Sequence, residues 1–279
     1  MKLSENIFAA QKRLTDAGVD DPALDARLLI AHALGCDRLT LLTDGARVLT
    51  ENETATINVL IARRAAREPV HRILGLREFW GLPFGLNEAT LEPRPDSETL
   101  IETALKLRTT PPTRLLDLGT GTGCLLLALL HEWPHATGLG IDKAPRAVEQ
   151  ATVNAKRLGL ESRATFQQGD WLNGINEVFD LIICNPPYIP SHDIDTLQPE
   201  VRIHDPMAAL DGGTDGLDPY RHLIPLLPQY LKAGGVALFE IGVGQAEDIS
   251  RLMDENGFQD IAITRDLGGV ARCVSGQRS

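Results

Sequence analysis

The chain has 279 residues, 43% of them hydrophobic and 23% charged, a composition that leaves no room for a long disordered tract and allows a sizeable core. With 27 basic against 38 acidic side chains the net charge is −11, and the acidic excess lies beyond residue 80, since residues 1–80 carry 11 of each sign. That balance argues against duplex nucleic acid as the main partner, because non-specific binding to it needs several Lys or Arg aimed at phosphates.

The first ten residues hold one Lys and a polar Ser-Glu-Asn interruption in place of the apolar run of a signal peptide, and no apolar stretch approaches the roughly 18 residues of a membrane span. Cys36, Cys124, Cys184 and Cys273 are scattered singly, without the paired spacing of a disulfide framework or a metal knuckle. A cytoplasmic protein with reduced thiols and no membrane association is expected.

From Ser4 to about Arg67 the pattern is helical. Asp21-Pro22 reads as N-cap and first-turn proline, Leu24, Leu28 and Leu29 recur at helical spacing, and Gly35 supplies a stop. Thr50-Glu51-Asn52-Glu53 has the form of a capping box, opening a helix that Pro69 ends. Residues 79–92 turn aromatic and rich in Gly and Pro, which suggests a short hairpin linker. The expected organisation is a helical bundle over 1–78, a hairpin linker over 79–92 and an α/β domain over 93–279. Arg63, Arg64, Arg67, Arg72 and Arg77 form a basic run near the end of the bundle, read mainly as a solvated helix face.

After Pro111-Pro112 the rhythm becomes strand, helix, strand, helix: Arg114–Leu118, Cys124–His131, Thr137–Ile141, Ala144–Leu158 and Ala164–Gln167, with further strands at Val178–Cys184, Gly235–Ile241 and near Ile261–Thr264. Such alternation implies a parallel sheet with helices on both faces.

Asp117-Leu-Gly119-Thr120-Gly121-Thr122-Gly123 sits where the first strand of this series turns into a helix. Glycines there let the backbone approach a nucleoside and make a turn that side chains would block. Asp142, at the end of the next strand, is placed for a carboxylate to accept both ribose hydroxyls. A dinucleotide would call for G-x-G-x-x-G, whereas G-x-G-x-G preceded by an acid suits an uncharged or cationic tail better. Asp170-Trp171 follows the third strand, where an aromatic edge could frame the base, a weak signal that gains weight from its place among the strand ends.

Asn185-Pro186-Pro187-Tyr188 follows the buried-strand pattern Phe179–Cys184 and is the most specific feature of the chain. Two prolines remove two backbone donors and stiffen the loop, leaving the Asn185 side-chain oxygen and the Pro186 carbonyl as clustered acceptors that can grip an NH₂ group by both hydrogens. An amide nitrogen is a poor nucleophile because its lone pair is conjugated with the carbonyl. Accepting hydrogen bonds from both N–H groups returns density to nitrogen and aims it, with Tyr188 packing on the planar group.

At these residues the sequence resembles the peptide chain release factor N(5)-glutamine methyltransferases. The likeness also covers Glu78–Phe84, Glu92-Pro93-Arg94-Pro95-Asp96-Ser97-Glu98, and Ala209-Leu210-Asp211-Gly212-Gly213-Thr214-Asp215-Gly216. It implies a class I S-adenosylmethionine methyltransferase, α/β and Rossmann-like, with a seven-stranded mostly parallel sheet and a small N-terminal helical bundle that docks the substrate. It implies that Gly119, Thr120, Gly121, Thr122, Gly123, Asp142, Trp171 and Asn185 bind S-adenosylmethionine. Asn185, Pro186, Pro187 and Tyr188 then take the glutamine of the Gly-Gly-Gln motif of class 1 release factors, with Asn185, Pro186 and Tyr188 carrying the catalysis. Glu92 departs from the family, which usually has an apolar residue before Pro-Arg-Pro.

Two other functions share part of the pattern. Adenine amine methyltransferases acting on RNA or DNA use the same Asn-Pro-Pro-Tyr chemistry but would favour a basic groove, and direct nucleic-acid binding is not expected here. A non-catalytic S-adenosylmethionine sensor would need the glycine loop but not the Asn-Pro-Pro-Tyr loop. His131-Glu132-Trp133-Pro134-His135 matches a zinc-protease pattern, but Pro134 breaks the helix that would align both His, so no metal is expected.

Overall fold

The computed structural model describes residues 1–279. Five helices come first: α1 (Leu3–Asp16), α2 (Pro22–Leu34), α3 (Arg38–Thr43), α4 (Glu51–Ala65) and α5 (Val70–Leu74). A hairpin of β1 (Leu76–Phe79) and β2 (Leu82–Gly85) leads to α6 (Glu98–Leu107). Then follow β3 (Arg114–Leu118), α7 (Cys124–Glu132), β4 (Thr137–Asp142), α8 (Pro145–Arg157), β5 (Ala164–Gln168), β6 (Phe179–Cys184), α9 (Pro199–His204), α10 (Asp218–Leu223), β7 (Leu231–Glu240), α11 (Ala246–Glu255), β8 (Phe258–Arg265) and β9 (Ala271–Arg278). No helix is long and apolar enough to cross a membrane.

Two compact units result, one of residues 1–76 with 198–204, the other of 77–197 with 205–279. In the first, the ends of α2 and the start of α4 are closed by the chemistry of their sequence. Asp21 caps α2 by accepting from the Leu24 N–H at 3.1 Å, and Gly35 ends it in the left-handed conformation. Thr50 and Glu53 exchange side-chain and backbone hydrogen bonds across the first turn of α4. Leu14, Leu29, Ile30, Ile57 and Ile61 form the buried centre.

Arg64 and Arg67 of the basic run do not stand on a solvated face, whereas Arg63 is exposed. Arg64 is 6% exposed; its Nε donates to Asp25 Oδ2 at 2.6 Å and its Nη1 to Glu200 Oε1 at 2.9 Å. Arg67 grips the same Glu200 with two hydrogen bonds, at 2.7 and 2.6 Å, and Arg63 pairs with Glu68. Glu200 comes from α9, so residues 198–204 fold into this unit through charge pairing at a sequence separation that no local pattern announces. In the other unit Arg77 stands 3.5 Å from Glu92, and that guanidinium accompanies the carboxylate which departs from the family pattern.

The second unit is built on a seven-stranded sheet in the order β5-β4-β3-β6-β7-β9-β8, parallel from β5 to β7 and antiparallel at β9 and β8. Alternate residues feed its two faces: Leu115, Leu181, Ile183 and Leu238 pack with α6 and α7, and Leu116, Ile182 and Phe239 pack with α10 and α11. The hairpin joins the first layer through Phe79 and Phe84, edge to face with centroids 6.2 Å apart. The parallel strands fall where the sequence places them. Strand β9 is unannounced because its centre, Cys273 to Gly276, carries too little apolar signal to stand out, and it is held by pairing to strands on both sides.

Removing Arg64 leaves the buried Asp25 carboxylate without its partner, while Glu200 keeps its pair with Arg67. Arg64→Ala is expected to lower unfolding stability by about 3–5 kcal/mol, as for other buried pairs that lose one partner. Urea titration of the variant beside wild type checks this; a loss below about 1 kcal/mol would mean that the cluster is solvated in solution.

Candidate active site

A cavity of about 450 Å³ opens at the carboxyl ends of β3, β4, β5 and β6, a volume within the range of roughly 300–1,000 Å³ typical of small-molecule sites. Its rear wall is the loop after β3. Gly119, Gly121 and Gly123 have φ of +72°, +54° and +78°, values that side chains strain to adopt. The Gly119 and Thr120 N–H groups both donate to the Ile141 carbonyl at 2.9 Å, tying the loop to β4. Behind the loop, fully buried Asn154 donates to the Thr122 carbonyl at 2.9 Å and exchanges hydrogen bonds with the Gly85 backbone. The hairpin thereby braces the glycine turn.

Asp142 ends β4 with its carboxylate held edge-on to the cavity: Oδ2 accepts from the Gly121 N–H at 2.8 Å and Oδ1 from the Ala144 N–H at 2.9 Å. Each oxygen keeps a second acceptor position for a ligand hydroxyl. Trp171, at φ +55°, lays its ring beside Gly119, where a Cβ would stand 3.6 Å from Cζ3. Asp117 is 1% exposed beneath the loop; Oδ2 accepts from Thr120 Oγ1 at 2.6 Å, and Oδ1 has no hydrogen-bond partner. Burial is the main force raising its pKa to about 7, with Thr120 opposing and Asp142 adding to it.

Asn185 and Pro187 come to the same cavity from the end of β6. Under their loop lies the run Asp211–Gly216. A Cβ on Gly212 would meet the Pro187 carbonyl and Tyr188 Cα at 2.8 Å, and one on Gly216 would fall 2.2 Å from the Tyr188 carbonyl. Gln245, 8% exposed, donates from Nε2 to the Tyr188 and Gly216 carbonyls at 3.0 and 3.2 Å and accepts the Gly242 N–H at 2.8 Å. The glycines let backbone pack on backbone, and Gln245 locks the contact.

Of the residues expected from sequence, Gly119, Thr120, Gly121, Thr122, Asp142, Trp171, Asn185 and Pro187 share the cavity wall. Gly123, Pro186 and Tyr188 stand next to it rather than on it. Gly123 serves packing, since a Cβ there would press on Phe166, Ala151 and Leu127 at 3.1–3.2 Å. The Tyr188 hydroxyl points away toward Glu240 Oε1 at 3.5 Å. Sequence reasoning gave no site role to Leu91, Glu92, Pro93, Arg94 and Ser97, or to Pro206, Ala208 and Ala209, which also line the wall. Their runs, Pro-Arg-Pro and Ala-Leu-Asp-Gly-Gly, were visible as motifs, but only the fold shows what they face. Arg94 reaches across to Asp205 at 2.8 Å.

The cavity suits a nucleoside with a charged tail. Backbone without side chains lines one side, Asp142 can take ribose hydroxyls, and Trp171 offers an aromatic surface.

Comparison with known proteins agrees with this chemistry. Residues 7–75 match the model of the PrmC N-terminal domain and residues 110–262 that of a methyltransferase domain. The chain is 51% identical to the release factor glutamine methyltransferase of Rhodospirillum rubrum, over 95% of this chain and 82% of that protein. It is 48% identical to that of Bradyrhizobium diazoefficiens, over 95% and 91%. Among solved structures it resembles a methyltransferase from Pyrococcus furiosus with a TM-score of 0.55 and 16% identity, over 80% of this chain and 98% of that one, a likeness of fold alone.

Two buried carboxyls, Asp117 and Glu240, have pKa values raised to about 7, in both cases chiefly by burial. Between their unfolded values near 4 and the folded ones, the native state holds protons that the unfolded chain has released, so stability falls as pH rises through this window. Urea unfolding at about pH 5 and about pH 8 is expected to show a loss of a few kcal/mol at the higher pH, partly abolished in Asp117→Asn. Stability that is flat or rises over this range would contradict the burial of these groups.

Proposed function

We infer, for a chain that belongs to the family of release factor glutamine methyltransferases, that it methylates the side-chain amide nitrogen of a glutamine in a peptide chain release factor, with S-adenosylmethionine as methyl donor. The observation that carries this reading is the convergence of two loops on one cavity: the glycine turn after β3 with Asp142, and Asn185 from the Asn-Pro-Pro-Tyr loop after β6.

S-adenosylmethionine supplies, when bound, a methyl group on a sulfonium, an electrophile that needs no further activation. Gly119 to Thr122, Asp142 and Trp171 are the residues to hold its nucleoside. The Asn185 Oδ1 and the Pro186 carbonyl accept the two N–H groups of the glutamine amide, draw density back to nitrogen and aim the lone pair. Charge developing on nitrogen strengthens both hydrogen bonds as the methyl group arrives, so they favour the transition state over the bound amide. No base is required before transfer; the N–H proton that the methyl group makes acidic leaves to water afterwards, restoring a neutral N-methyl amide.

The glutamine is that of the Gly-Gly-Gln motif of class 1 factors, and the helical unit of residues 1–76 docks the protein substrate. A protein partner fits better than RNA or DNA, since Arg63, Arg64, Arg67 and Arg77 are already engaged with acidic groups of the chain and the net charge is −11.

Asn185→Ala removes an acceptor that aims the nitrogen. By analogy with deleting one preorganised oxyanion donor, single-turnover methylation of purified release factor should fall roughly 10²–10³-fold. Cofactor affinity should change less, because the glycine loop and Asp142 remain. A rate within tenfold of wild type, or a defect explained wholly by lost cofactor binding, would remove the orienting role; a wild-type protein that transfers no methyl group to any release factor would remove the function.

A further inference from the structure

An asparagine can hold a substrate amide only with its oxygen, not its amino group, facing the substrate. The two ends of the side-chain amide are nearly the same size, so their orientation is set by the groups behind them. Beside Asn185 on the same wall stands Ser97, 2% exposed, with Oγ 3.4 Å from Asn185 Nδ2. A serine hydroxyl cannot fix the orientation by itself, because it can donate or accept. Glu240, 2% exposed at the end of β7, lies against both, within hydrogen-bonding reach of Ser97 and of Asn185 itself. The β6–β7 register pairs Cys184 with Phe239, which sets Glu240 beside the residue where the Asn-Pro-Pro-Tyr loop begins. Its Oε1 is 3.5 Å from the Tyr188 hydroxyl, and its Oε2 is buried without a geometrically complete hydrogen bond. The methyl-transfer scheme above makes no use of this carboxyl.

We propose that Glu240, with Ser97 beside it, is a positioning residue that sets the amide orientation of Asn185. As a carboxylate Glu240 can only accept, from the Ser97 hydroxyl and from the Asn185 amino group, which turns Nδ2 inward and leaves Oδ1 to face the cavity. Protonated, Glu240 donates instead. Asn185 then presents its oxygen inward to that donor and its amino group to the cavity, where it opposes the N–H groups of the glutamine. One proton thus reverses the orientation of the Asn185 amide. This assignment rests on the proposed amide-binding role of Asn185.

The surroundings place this reversal near neutrality. Burial raises the Glu240 pKa to about 7, while Ser97, Arg272 and Asn185 favour the charged form and Asp96 opposes it. Arg272, from β9, is itself paired with Asp96 at 2.8 Å and Asp266 at 3.2 Å. Cys184 on β6, Cys273 on β9, Cys124 at the start of α7, Tyr188, and Tyr220 on α10, whose hydroxyl donates to the Glu240 carbonyl at 2.7 Å, are all pushed upward by burial and stay neutral in this range. Asp117, beneath the glycine loop, is the one other carboxyl raised to about 7.

The test is the single-turnover rate of methyl transfer to release factor, at saturating S-adenosylmethionine, from about pH 6 to about pH 8.5. Wild type should lose rate on the acid side of a midpoint near 7. Glu240→Gln, which can donate at every pH, should lose that acid limb and run flat, between roughly tenfold and 10²-fold below wild type at the alkaline end. Ser97→Ala removes one contact but leaves Glu240 against Asn185, so it should keep the limb. An acid limb that persists in Glu240→Gln belongs to Asp117 or another group and overturns the proposal, as does a Glu240→Gln rate equal to wild type. If Glu240→Gln does not fold, Asp117→Asn decides: a limb that it abolishes belongs to Asp117 and refutes the proposal, and a limb that it retains supports Glu240. Wild-type protein inactive on release factor at every pH would instead refute the function on which the proposal rests.

Discussion

The hydrogen-bonded pairing of β3 with β6 is the constraint on which the site depends. The chain leaves β3 through the glycine turn, builds β4 and β5 outward on one side, then returns to lay β6 against the other side of β3. A doubly wound sheet has its crevice at such a reversal, because the loops that follow two adjacent strands must run to opposite faces. Gly119 and Asn185 lie 66 positions apart in sequence yet emerge from neighbouring strand ends, register-locked by Leu118 against Cys184. A slip of one residue would turn every side chain of β6 to the other face and move the loop off the cavity.

The same sheet also supplies rigidity beneath the chemistry. Amide methylation needs the nitrogen held in line with the methyl donor, and an error of about 1 Å can cost roughly 10²-fold in rate. The Asn-Pro-Pro-Tyr loop meets this demand without regular hydrogen bonding of its own, since two prolines lack N–H groups. Its stiffness comes from below, where Gly212 and Gly216 admit the close backbone approach and Gln245 ties together the Tyr188 and Gly216 carbonyls and the Gly242 N–H. Placing backbone against backbone excludes water and leaves few alternative positions for the loop.

Much of this was legible in sequence because it is written in local patterns. The parallel strands, the caps at Asp21 and Thr50, the glycine turn, Asp142 and the Asn-Pro-Pro-Tyr loop each announce themselves within a few residues. Features made by pairing across long separations did not. Arg64 reads as one basic residue among five until Asp25 and Glu200 are seen to bury it. Residues 198–204 look like part of the α/β domain, and only their charges, placed on α9, show where they fold. The Tyr188 hydroxyl turns to Glu240, a residue that sequence shows only as the polar end of an apolar strand. The Glu92 departure is likewise explained by a partner, Arg77, that lies 15 positions away.

The most direct measurement of the reaction is where the methyl group lands. Release factor incubated with this protein and S-adenosylmethionine, then digested and sequenced by tandem mass spectrometry, should carry one added methyl on the side-chain amide of the Gly-Gly-Gln glutamine. A factor in which that glutamine is replaced by glutamate should carry none. Methyl on another residue, or transfer that persists after the replacement, would contradict an active site built to hold a side-chain amide by both of its hydrogens.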